Sequence, residues 1–290
     1  QVERVNLFCR VTPAQKTRII EALRARGHVV GFLGDGINDA PALHAANVGI
    51  SVDSAVDVAK EAADLVLLEP DLNVLQEGVR EGRRTFGNVT KYIMMGTSSN
   101  FGNMFSMAGG TLFLPFLPML PIQILLNNFL YDLSELAIPL DQVDEDTLAR
   151  PRVWDMHFIR NFMLALGPVS SVFDFLTFFV MLKVFQANEA LFHTGWFIES
   201  IATQVLVIFI IRTRGSPLAS RPNIWLVILS LAVVGVAALL PWLAFAGELG
   251  FVPPPPAFYA ALAGIVAAYL AVMLGAKQLF YRYWERRHPR

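Results

Sequence analysis

The pattern of hydrophobic and polar positions changes about a third of the way along the chain. Up to about Lys91, short apolar runs alternate with charged residues, and beyond it long apolar stretches are separated by short charged loops. The first part predicts strands at 5–11, 28–34, 48–52 and 64–68, and helices from Pro13 to about Arg26, near 40–46 and near 55–63. Alternating strands and helices indicate a parallel sheet with helices on both faces. The first two strands, and Cys9 within the first of them, are expected to be buried.

The second part predicts membrane helices, because about 20 mostly apolar residues are enough to cross a bilayer. An amphipathic helix over about 71–88 is expected to run on into the first span and to transmit movement to it. This gives a domain layout of 1–70, a stalk at 71–91, a membrane domain at 92–281 and a tail at 282–290. The six predicted spans lie at about 92–114, 119–140, 158–182, 194–211, 224–246 and 257–276.

Basic residues give the orientation of these spans. Loops on the cytosolic side of a membrane are rich in Lys and Arg. If the first part is cytosolic, the basic loops all fall on the same side, and the opposite loops carry almost nothing basic beyond Lys183. The pattern predicts that both ends of the segment are cytosolic. The residues concerned are Arg150, Arg152 and Arg160, then Arg212, Arg214 and Arg221, then Arg282, Arg286, Arg287 and Arg290.

Composition supports a membrane protein and narrows its partners. The chain is 54% hydrophobic and 16% charged, against roughly 25% charged residues in a soluble domain. The net charge of −1 gives no indication of nucleic-acid binding. The aromatic and arginine residues of the segment 281–290 are typical of contact with anionic lipid. A single cysteine excludes an internal disulfide framework.

A glycine- and acid-rich segment follows the strand at 28–34. Glycines allow a tight turn and a close approach of the backbone to a ligand. In open parallel sheets, ligands bind at the carboxyl ends of strands, and oxygen groups there suit Mg²⁺ bridged to a phosphate. The alternative is an ordinary Asp-Gly turn with a helix-capping Asp. The residues of interest are Gly34, Asp35, Gly36, Asn38 and Asp39.

Polar residues also lie inside the first two predicted spans, where they are costly and therefore indicate function. Asn100 and Asn103 are three residues apart, and Asn128 and Asp132 are four apart, so each pair shares a helix face. Amide and carboxylate oxygens form sites for hard cations. The alternative is hydrogen bonding between helices, which is the preferred interpretation for Asn127 because it lies on another face from Asp132.

Other membrane acids are less clearly functional. Asp174 in the third span is a further predicted ligand of the transported ion, with a structural role beside a polar neighbour or at the lipid interface as the alternative. Glu135, Glu199 and Gln204 are weaker candidates.

Three segments resemble the P-type ATPases. The string from Gly34 to Leu43 resembles their hinge motif, TGDGxNDAPAL, with Leu33 in place of Thr. The run from Thr12 to Lys16 resembles their P-x-x-K segment at a matching spacing, and Glu81-Gly82-Arg83-Arg84 enters a membrane helix as in that family. The resemblance covers the whole chain. It implies part of a haloacid-dehalogenase-like, Rossmannoid α/β phosphorylation domain followed by a six-helix transmembrane bundle, in a multi-domain membrane protein.

The resemblance also implies residue roles. Lys16 would pair with the phosphoryl oxygens of an aspartyl phosphate, Asp35 would hold the catalytic Mg²⁺, and Asn38 and Asp39 would position phosphate and magnesium. Gly34 and Gly36 would shape this phosphate site, with ATP as the substrate of the intact pump. Asn100, Asn128 and Asp132 fall on ion-ligand positions, and Asn103 on a position that is acidic in calcium pumps.

The transported ion is expected to be Mg²⁺. Asn103, the segment LLNNFLYDLSELAIPLDQVDED and the segment PVSSVFDFLTF resemble the bacterial magnesium-importing branch, which places the protein in the bacterial inner membrane. Scattered histidines and the lack of Cys-Pro-Cys disfavour a copper or zinc pump. Two alternatives stay open: a pump for Ca²⁺ or another cation, and a membrane protein without catalysis that uses a degenerate phosphate-binding domain.

The sequence is expected to be a fragment. It opens on Gln1 and lacks the DKTGT motif with the phosphorylated Asp. The resemblance also implies a missing nucleotide-binding domain, dephosphorylation loop and four membrane helices. The N-terminal remainder of the same pump is therefore an expected partner, and this segment alone is not expected to turn over.

Overall fold

The computed structural model describes residues 2–69, 71–149, 151–217 and 219–287. The chain divides into two compact units, one ending at Arg83 and the other beginning at Arg84. Arg150 and Arg290, which contributed to the predicted orientation, lie outside the described residues, as do residues 288 and 289 of the predicted tail.

The first unit contains a small parallel sheet. Its strands are β1 (Gly31–Leu33), β2 (Val48–Val52) and β3 (Leu65–Leu67), in the spatial order β1-β2-β3. Leu33 pairs with Ile50, which pairs in turn with Leu65. The helices are α1 (Pro13–Arg24), α2 (Ala40–Ala45) and α3 (Asp57–Ala62). Two of the four predicted strands and all three predicted helices thus occur close to their predicted positions.

Local chemistry explains where α1 begins. The Thr12 hydroxyl accepts a hydrogen bond from the Gln15 N–H group, and the Gln15 side chain accepts one from the Thr12 N–H group. This reciprocal pair satisfies N–H groups that have no partner inside the helix. Pro13 occupies the first helical position, where its missing N–H group costs nothing. The segment that carries Lys16 is therefore held firmly in the first turn.

The other two predicted strands differ from the structure. Residues 5–11 form no strand, and Cys9 is exposed instead of buried. The strand predicted at 28–34 is reduced to β1, with Val29 60% and Leu33 39% exposed. The physical reason is the same in both cases. β1 is an edge strand of the described sheet, so the backbone on its outer side has no partner strand, and an apolar pattern alone does not supply one.

The second unit is helical. The division between the units falls within α4 (Leu72–Gly110), which continues the amphipathic segment into the apolar region as one helix. The other helices are α5 (Pro121–Glu135), α6 (Glu145–Ala149), α7 (Met156–Phe179), α8 (Glu189–Leu206), α9 (Ile208–Ile211), α10 (Ile224–Leu239) and α11 (Pro256–Arg287).

The centre of this unit is α8. It packs against α5, α7, α10 and α11, and aromatic side chains fill the space around it. The Trp196 and Phe178 rings meet edge to face at a centroid distance of 4.9 Å, which is an arrangement that aromatic pairs prefer. Trp196, Phe178 and Phe162 are almost completely buried. This core holds α8 in place from all sides.

Within the described residues, four helices are long and apolar enough to cross a membrane, and they match the third to sixth predicted spans. The first two predicted spans do not qualify. The helix α5 has 15 residues, about 22 Å at the usual rise, which is shorter than a bilayer core of about 30 Å. The six-span count is therefore not confirmed. The four helical segments are Met156–Val184, Glu189–Ile211, Ile224–Trp242 and Pro256–Arg287.

Candidate functional site

The loop after β1 is shaped by Gly34. A Cβ atom at this position would lie 2.6 Å from the Cβ of Asp39 and 3.1 Å from the Phe32 ring. The Ser51 hydroxyl of β2 donates to the Gly34 carbonyl at 2.8 Å. The chain then turns through a short 3₁₀ segment, Ile37–Asp39, into α2. Only glycine permits this close approach between the end of β1 and Asp39.

Asp39 is joined to α1 at this loop. The Lys16 ammonium donates to Asp39 Oδ1 at 2.6 Å, and the Gly36 N–H group donates to Oδ2 at 3.3 Å. Burial raises the pKa of Asp39, but the hydrogen bonds from Lys16 and Gly36 outweigh it and hold the pKa below its usual value. Asp39 is therefore a carboxylate at neutral pH. The fold brings these two predicted catalytic residues together across 23 positions.

The remaining predicted residues of this cluster lie on the same loop. Asp35 and Asn38 are exposed, and the Asp35 carbonyl accepts a hydrogen bond from the Val56 N–H group at 3.2 Å, which fixes its backbone. An ammonium group, an exposed carboxylate and an amide thus share one rim of the sheet. The described residues hold no group of three His, Cys, Asp or Glu side chains suited to a metal.

The polar residues predicted in the first two spans share a cavity of about 610 Å³ between α4, α5 and α8. Asn100 and Asn103 line it from α4, and Asn128 and Asp132 line it from α5. Asn127 lines the cavity as well. The structure therefore brings together four predicted cation ligands and one residue to which the sequence assigns only a structural role.

Two of the cavity residues are tied to α8. The Ser200 hydroxyl donates to Asn103 Oδ1, and the Gln204 amide donates to Asn127 Oδ1, both at 3.3 Å. The bond from Gln204 is the kind of hydrogen bond between helices expected for Asn127. Asn100, Asn128 and Asp132 are instead exposed to the cavity and its mouth. These three residues are therefore the accessible ones among the predicted ligands that line the cavity.

Asp174 lies elsewhere. It is fully buried, and its carboxylate accepts hydrogen bonds from the Ser106 hydroxyl at 2.5 Å and from the Trp196 indole N–H at 2.9 Å. Trp196 lines the cavity, whereas Asp174 does not. Glu199 is also fully buried and interacts with Asp174, while no donor among the described residues reaches its oxygens. The structure does not bring Asp174 to the other predicted ligands.

Sequence reasoning missed buried charged groups outside the two predicted clusters. Lys277 of α11 is fully buried, and its ammonium donates to the carbonyl oxygens of Ile210, Thr213 and Gly215 at 2.9–3.0 Å. Asp141, after α5, is also buried and accepts from cationic side chains. A lone lysine inside an apolar helix was a usable signal for Lys277. Asp141 lies in an acidic loop, where nothing in the sequence distinguishes it from its neighbours.

Comparison with known proteins identifies the family. Residues 116–279 match the family described as cation transporting ATPase, C-terminus. This match covers more than half of the chain. The chain belongs to the cation-transporting ATPases. The predicted family is thus confirmed, and the C-terminal position within the family agrees with the P-x-x-K and hinge-like motifs that precede the apolar helices.

Relatives of the chain differ in the cation that their names give. The chain is 47% identical over 287 residues to the magnesium-transporting ATPase, P-type 1, of Salmonella typhimurium, covering 97% of the chain and 32% of that relative. The protein of the same name in Escherichia coli is 47% identical over 291 residues, 99% of the chain and 32% of the relative. A calcium-transporting ATPase of Bacillus subtilis is 33% identical over 235 residues, 78% of the chain and 26% of the relative. The chain therefore spans about a third of the length of these magnesium-transporting relatives.

Proposed function

We propose that the chain is the C-terminal part of an ATP-driven P-type pump that imports Mg²⁺ into the cytosol through an aspartyl-phosphate cycle. The observation that carries the proposal is the meeting of Asn100, Asn103, Asn128 and Asp132 around one cavity. The names of the two magnesium-transporting relatives support the choice of ion. ATP hydrolysis and ion movement belong to the whole protein, of which this chain is a part.

The rim formed by Lys16, Asp35, Asn38 and Asp39 is the proposed phosphate-handling site of a haloacid-dehalogenase-like domain. Its donor set fits a phosphoryl group with Mg²⁺, because Mg²⁺ needs only one or two carboxylates beside waters and phosphate oxygens. Asp35 would hold the ion, since its carboxylate is exposed. Both Asp39 oxygens already accept hydrogen bonds, so Asp39 orients Lys16. Bound Mg²⁺ would neutralise phosphoryl charge.

The cavity between α4, α5 and α8 is the proposed site of the transported ion. Amide oxygens with a single carboxylate suit a hard cation. Mg²⁺ gives up its water reluctantly, and a cavity of about 610 Å³ has room for several waters of about 30 Å³ each. The proposed ligands are Asn100, Asn103, Asn128 and Asp132. Asp174 is left out because its oxygens are already hydrogen-bonded outside the cavity.

The proposed setting is the bacterial inner membrane, with six spans and both ends of the segment in the cytosol. Four of these spans are the apolar helices of the described residues. The other two are the apolar part of α4 and the short α5, whose polar faces would be covered by the N-terminal remainder of the pump instead of by lipid. The layout of 1–70, 71–91, 92–281 and 282–290 stays part of this proposal, although α11 continues as a helix to Arg287.

Two substitutions in the full-length protein test the proposal. Asp132→Asn should raise the Mg²⁺ concentration for half-maximal ATPase activity by roughly 10-fold or more, because a charge-assisted contact contributes about 1.5–3 kcal/mol. Phosphorylation by inorganic phosphate should change little. Asp35→Asn should abolish phosphoenzyme turnover while membrane insertion stays normal. Glu248→Gln, an exposed acid remote from both clusters in sequence, is the control.

The outcomes separate the competing functions. Stronger stimulation by Ca²⁺ or Mn²⁺ than by Mg²⁺ would indicate a pump for another cation, a reading supported by the calcium-transporting relative. A full-length protein without any ion-stimulated ATPase activity would favour a membrane protein without catalysis. An unchanged Mg²⁺ dependence in Asp132→Asn would move the transport site away from the cavity.

A further inference from the structure

Asp141 is a buried carboxylate that gathers donors from three segments. It follows α5 after the 3₁₀ turn Ile138–Leu140 and is 1% exposed. Its Oδ2 accepts from the Lys91 ammonium of α4 at 2.8 Å and from Arg212 Nε, just after α9, at 2.9 Å. Its Oδ1 accepts from Arg212 Nη2 and from the Asn223 N–H group before α10, both at 3.0 Å. We call these four residues the Asp141 hub.

The backbone around the hub is held as well. Asn88, one turn before Lys91, donates to the carbonyl oxygens of Pro139 and Asp141 at 3.0 Å. The Asn223 amide donates to the Leu140 carbonyl at 2.9 Å. Lys91 also donates to the Gln142 carbonyl. Because side chain and main chain are both fixed, Asp141 cannot shift without breaking several buried hydrogen bonds.

Charge explains why the hub is firm. Burial raises the pKa of Asp141, but the hydrogen bonds from Arg212 and Lys91 outweigh it and hold the pKa below its usual value. Asp141 is therefore ionised at neutral pH and lies between two cations. Replacing it with a neutral residue would leave Lys91 and Arg212 facing each other in a buried place, which is strongly unfavourable.

The hub stands at one end of the proposed cation site. Along α4, Lys91 precedes Asn100 by nine residues, and Asp141 follows Asp132 by nine residues. Asp132 lines two cavities, the one of about 610 Å³ that contains Asn100 and a second of about 430 Å³ lined by Asn88, Tyr92 and Leu136. Open space thus lies between α4 and α5 around Asp132, where the two helices are linked through α8 by the Ser200–Asn103 and Gln204–Asn127 hydrogen bonds.

We infer that Asp141 is a positioning residue for the proposed cation site. By binding Lys91 of α4 directly after α5, it sets the separation of these two helices and so the distance from Asn100 and Asn103 to Asp132. This inference rests on the proposed function. Groups that orient metal ligands from outside the ligand set are usually needed for full affinity.

The test compares Asp141→Asn with Asp144→Asn in the full-length protein. Asp144 lies in the same loop and accepts from the Thr213 hydroxyl and the Arg214 N–H group at 2.8 Å. Among the described residues it interacts with Lys91 of α4 through charge and makes no hydrogen bond to that helix. Asp141→Asn should raise the half-saturating Mg²⁺ concentration by roughly 10-fold with a nearly unchanged maximal rate. Asp144→Asn should leave that concentration unchanged. A merely structural role would lower the yield or the unfolding temperature of both variants alike.

A second measurement does not depend on transport. Spin labels at Tyr92→Cys and Leu136→Cys report the distance between α4 and the end of α5. They are introduced in a full-length background from which the other cysteines, Cys9 included, have been removed. The distance distribution should broaden in Asp141→Asn and stay narrow in Asp144→Asn. Equal distributions in both variants would overturn the inference. If the wild-type protein has no Mg²⁺-stimulated activity and the distribution still broadens in Asp141→Asn, the proposed function is refuted and only the structural link between α4 and the end of α5 stands.

Lys91→Met serves if Asp141→Asn does not fold. It removes the donor from α4 and leaves the Arg212–Asp141 pair, with contacts at 2.9 and 3.0 Å, intact. The same broadening and the same rise in half-saturating Mg²⁺ are expected. A Lys91→Met protein with wild-type values for both would refute the inference.

Discussion

The substitution Gly34→Ala tests the geometry of the phosphate-handling rim most directly. The added methyl group would lie 2.6 Å from the Asp39 Cβ and 3.0 Å from its Cγ. Neither atom is the far end of a flexible chain, so Asp39 or the end of β1 must move. Overpacking of this kind costs about 1–3 kcal/mol. The displaced group is the carboxylate that holds the Lys16 ammonium at 2.6 Å.

The expected result is a loss of phosphorylation rate in the full-length protein. If the whole cost falls on the orientation of Lys16, 1–3 kcal/mol corresponds to a rate lower by about 5-fold to about 150-fold. The assay is rapid-quench measurement of phosphoenzyme formation at saturating ATP and Mg²⁺. ATP affinity should change little, because the rim, and not a nucleotide-binding surface, is disturbed.

Gly78→Ala is the matched control. Gly78 lies in α4, and nothing lies within 4 Å of its hypothetical Cβ atom. Alanine in a helix interior is more favourable than glycine by about 1 kcal/mol, so this variant should be as active as the wild type and no less stable. If Gly34→Ala phosphorylates as fast as Gly78→Ala, the close approach between β1 and Asp39 is not important for the reaction, and the argument for the rim fails.

Two further predictions concern buried charged groups. Lys277→Met removes the ammonium group from three carbonyl oxygens and should lower stability by about 1–3 kcal/mol, measured as the unfolding temperature in detergent. The control Gln278→Met, at an exposed neighbour, should leave the unfolding temperature unchanged. Equal unfolding temperatures for the two variants would refute a stabilising role for these hydrogen bonds. The pKa of Asp39 in the folded protein is lowered from 3.8. The stability that this shift contributes is present above the pKa of Asp39 in the unfolded chain, and it is lost as pH falls through the pKa of Asp39 in the folded protein. The Gly36 amide donates to Asp39, so its hydrogen-exchange protection should be constant from about pH 5 to 8 and fall below about pH 4. Protection that falls near pH 6 would contradict the lowered pKa of Asp39.

The sequence predicts elements well where local chemistry determines them. The capping box at Thr12 and Gln15 places α1, and the apolar run at 48–52 matches β2. The sequence-based prediction fails at 5–11 and around β1. A strand needs a neighbouring strand to pair with, and an apolar pattern does not reveal whether one is present. Cys9 and Val29 are exposed for that reason.

The candidate site shows the same division. Spacing along a helix correctly groups Asn100 with Asn103 and Asn128 with Asp132 around one cavity. It cannot tell that Asp174 faces Ser106 and Trp196 instead, because that depends on how α7 and α8 pack. Asp141 was missed because its donors come from positions 50 to 82 residues away.

The enclosure of α8 has a consequence for biogenesis. Within the membrane-spanning stretch of α8, 83% of the residues are buried by other parts of the protein, whereas the corresponding share is 33% in α10 and in α11. It also carries Glu199, Ser200 and Gln204, and an acid at mid-bilayer costs about 2.5–3.5 kcal/mol on insertion scales. An isolated α8 would therefore enter lipid reluctantly. Its stable residence in the bilayer depends on the arrival of neighbouring helices, so truncation after α8 should leave a polypeptide recognised by membrane quality control, whereas α10 and α11 tolerate lipid on their outer faces.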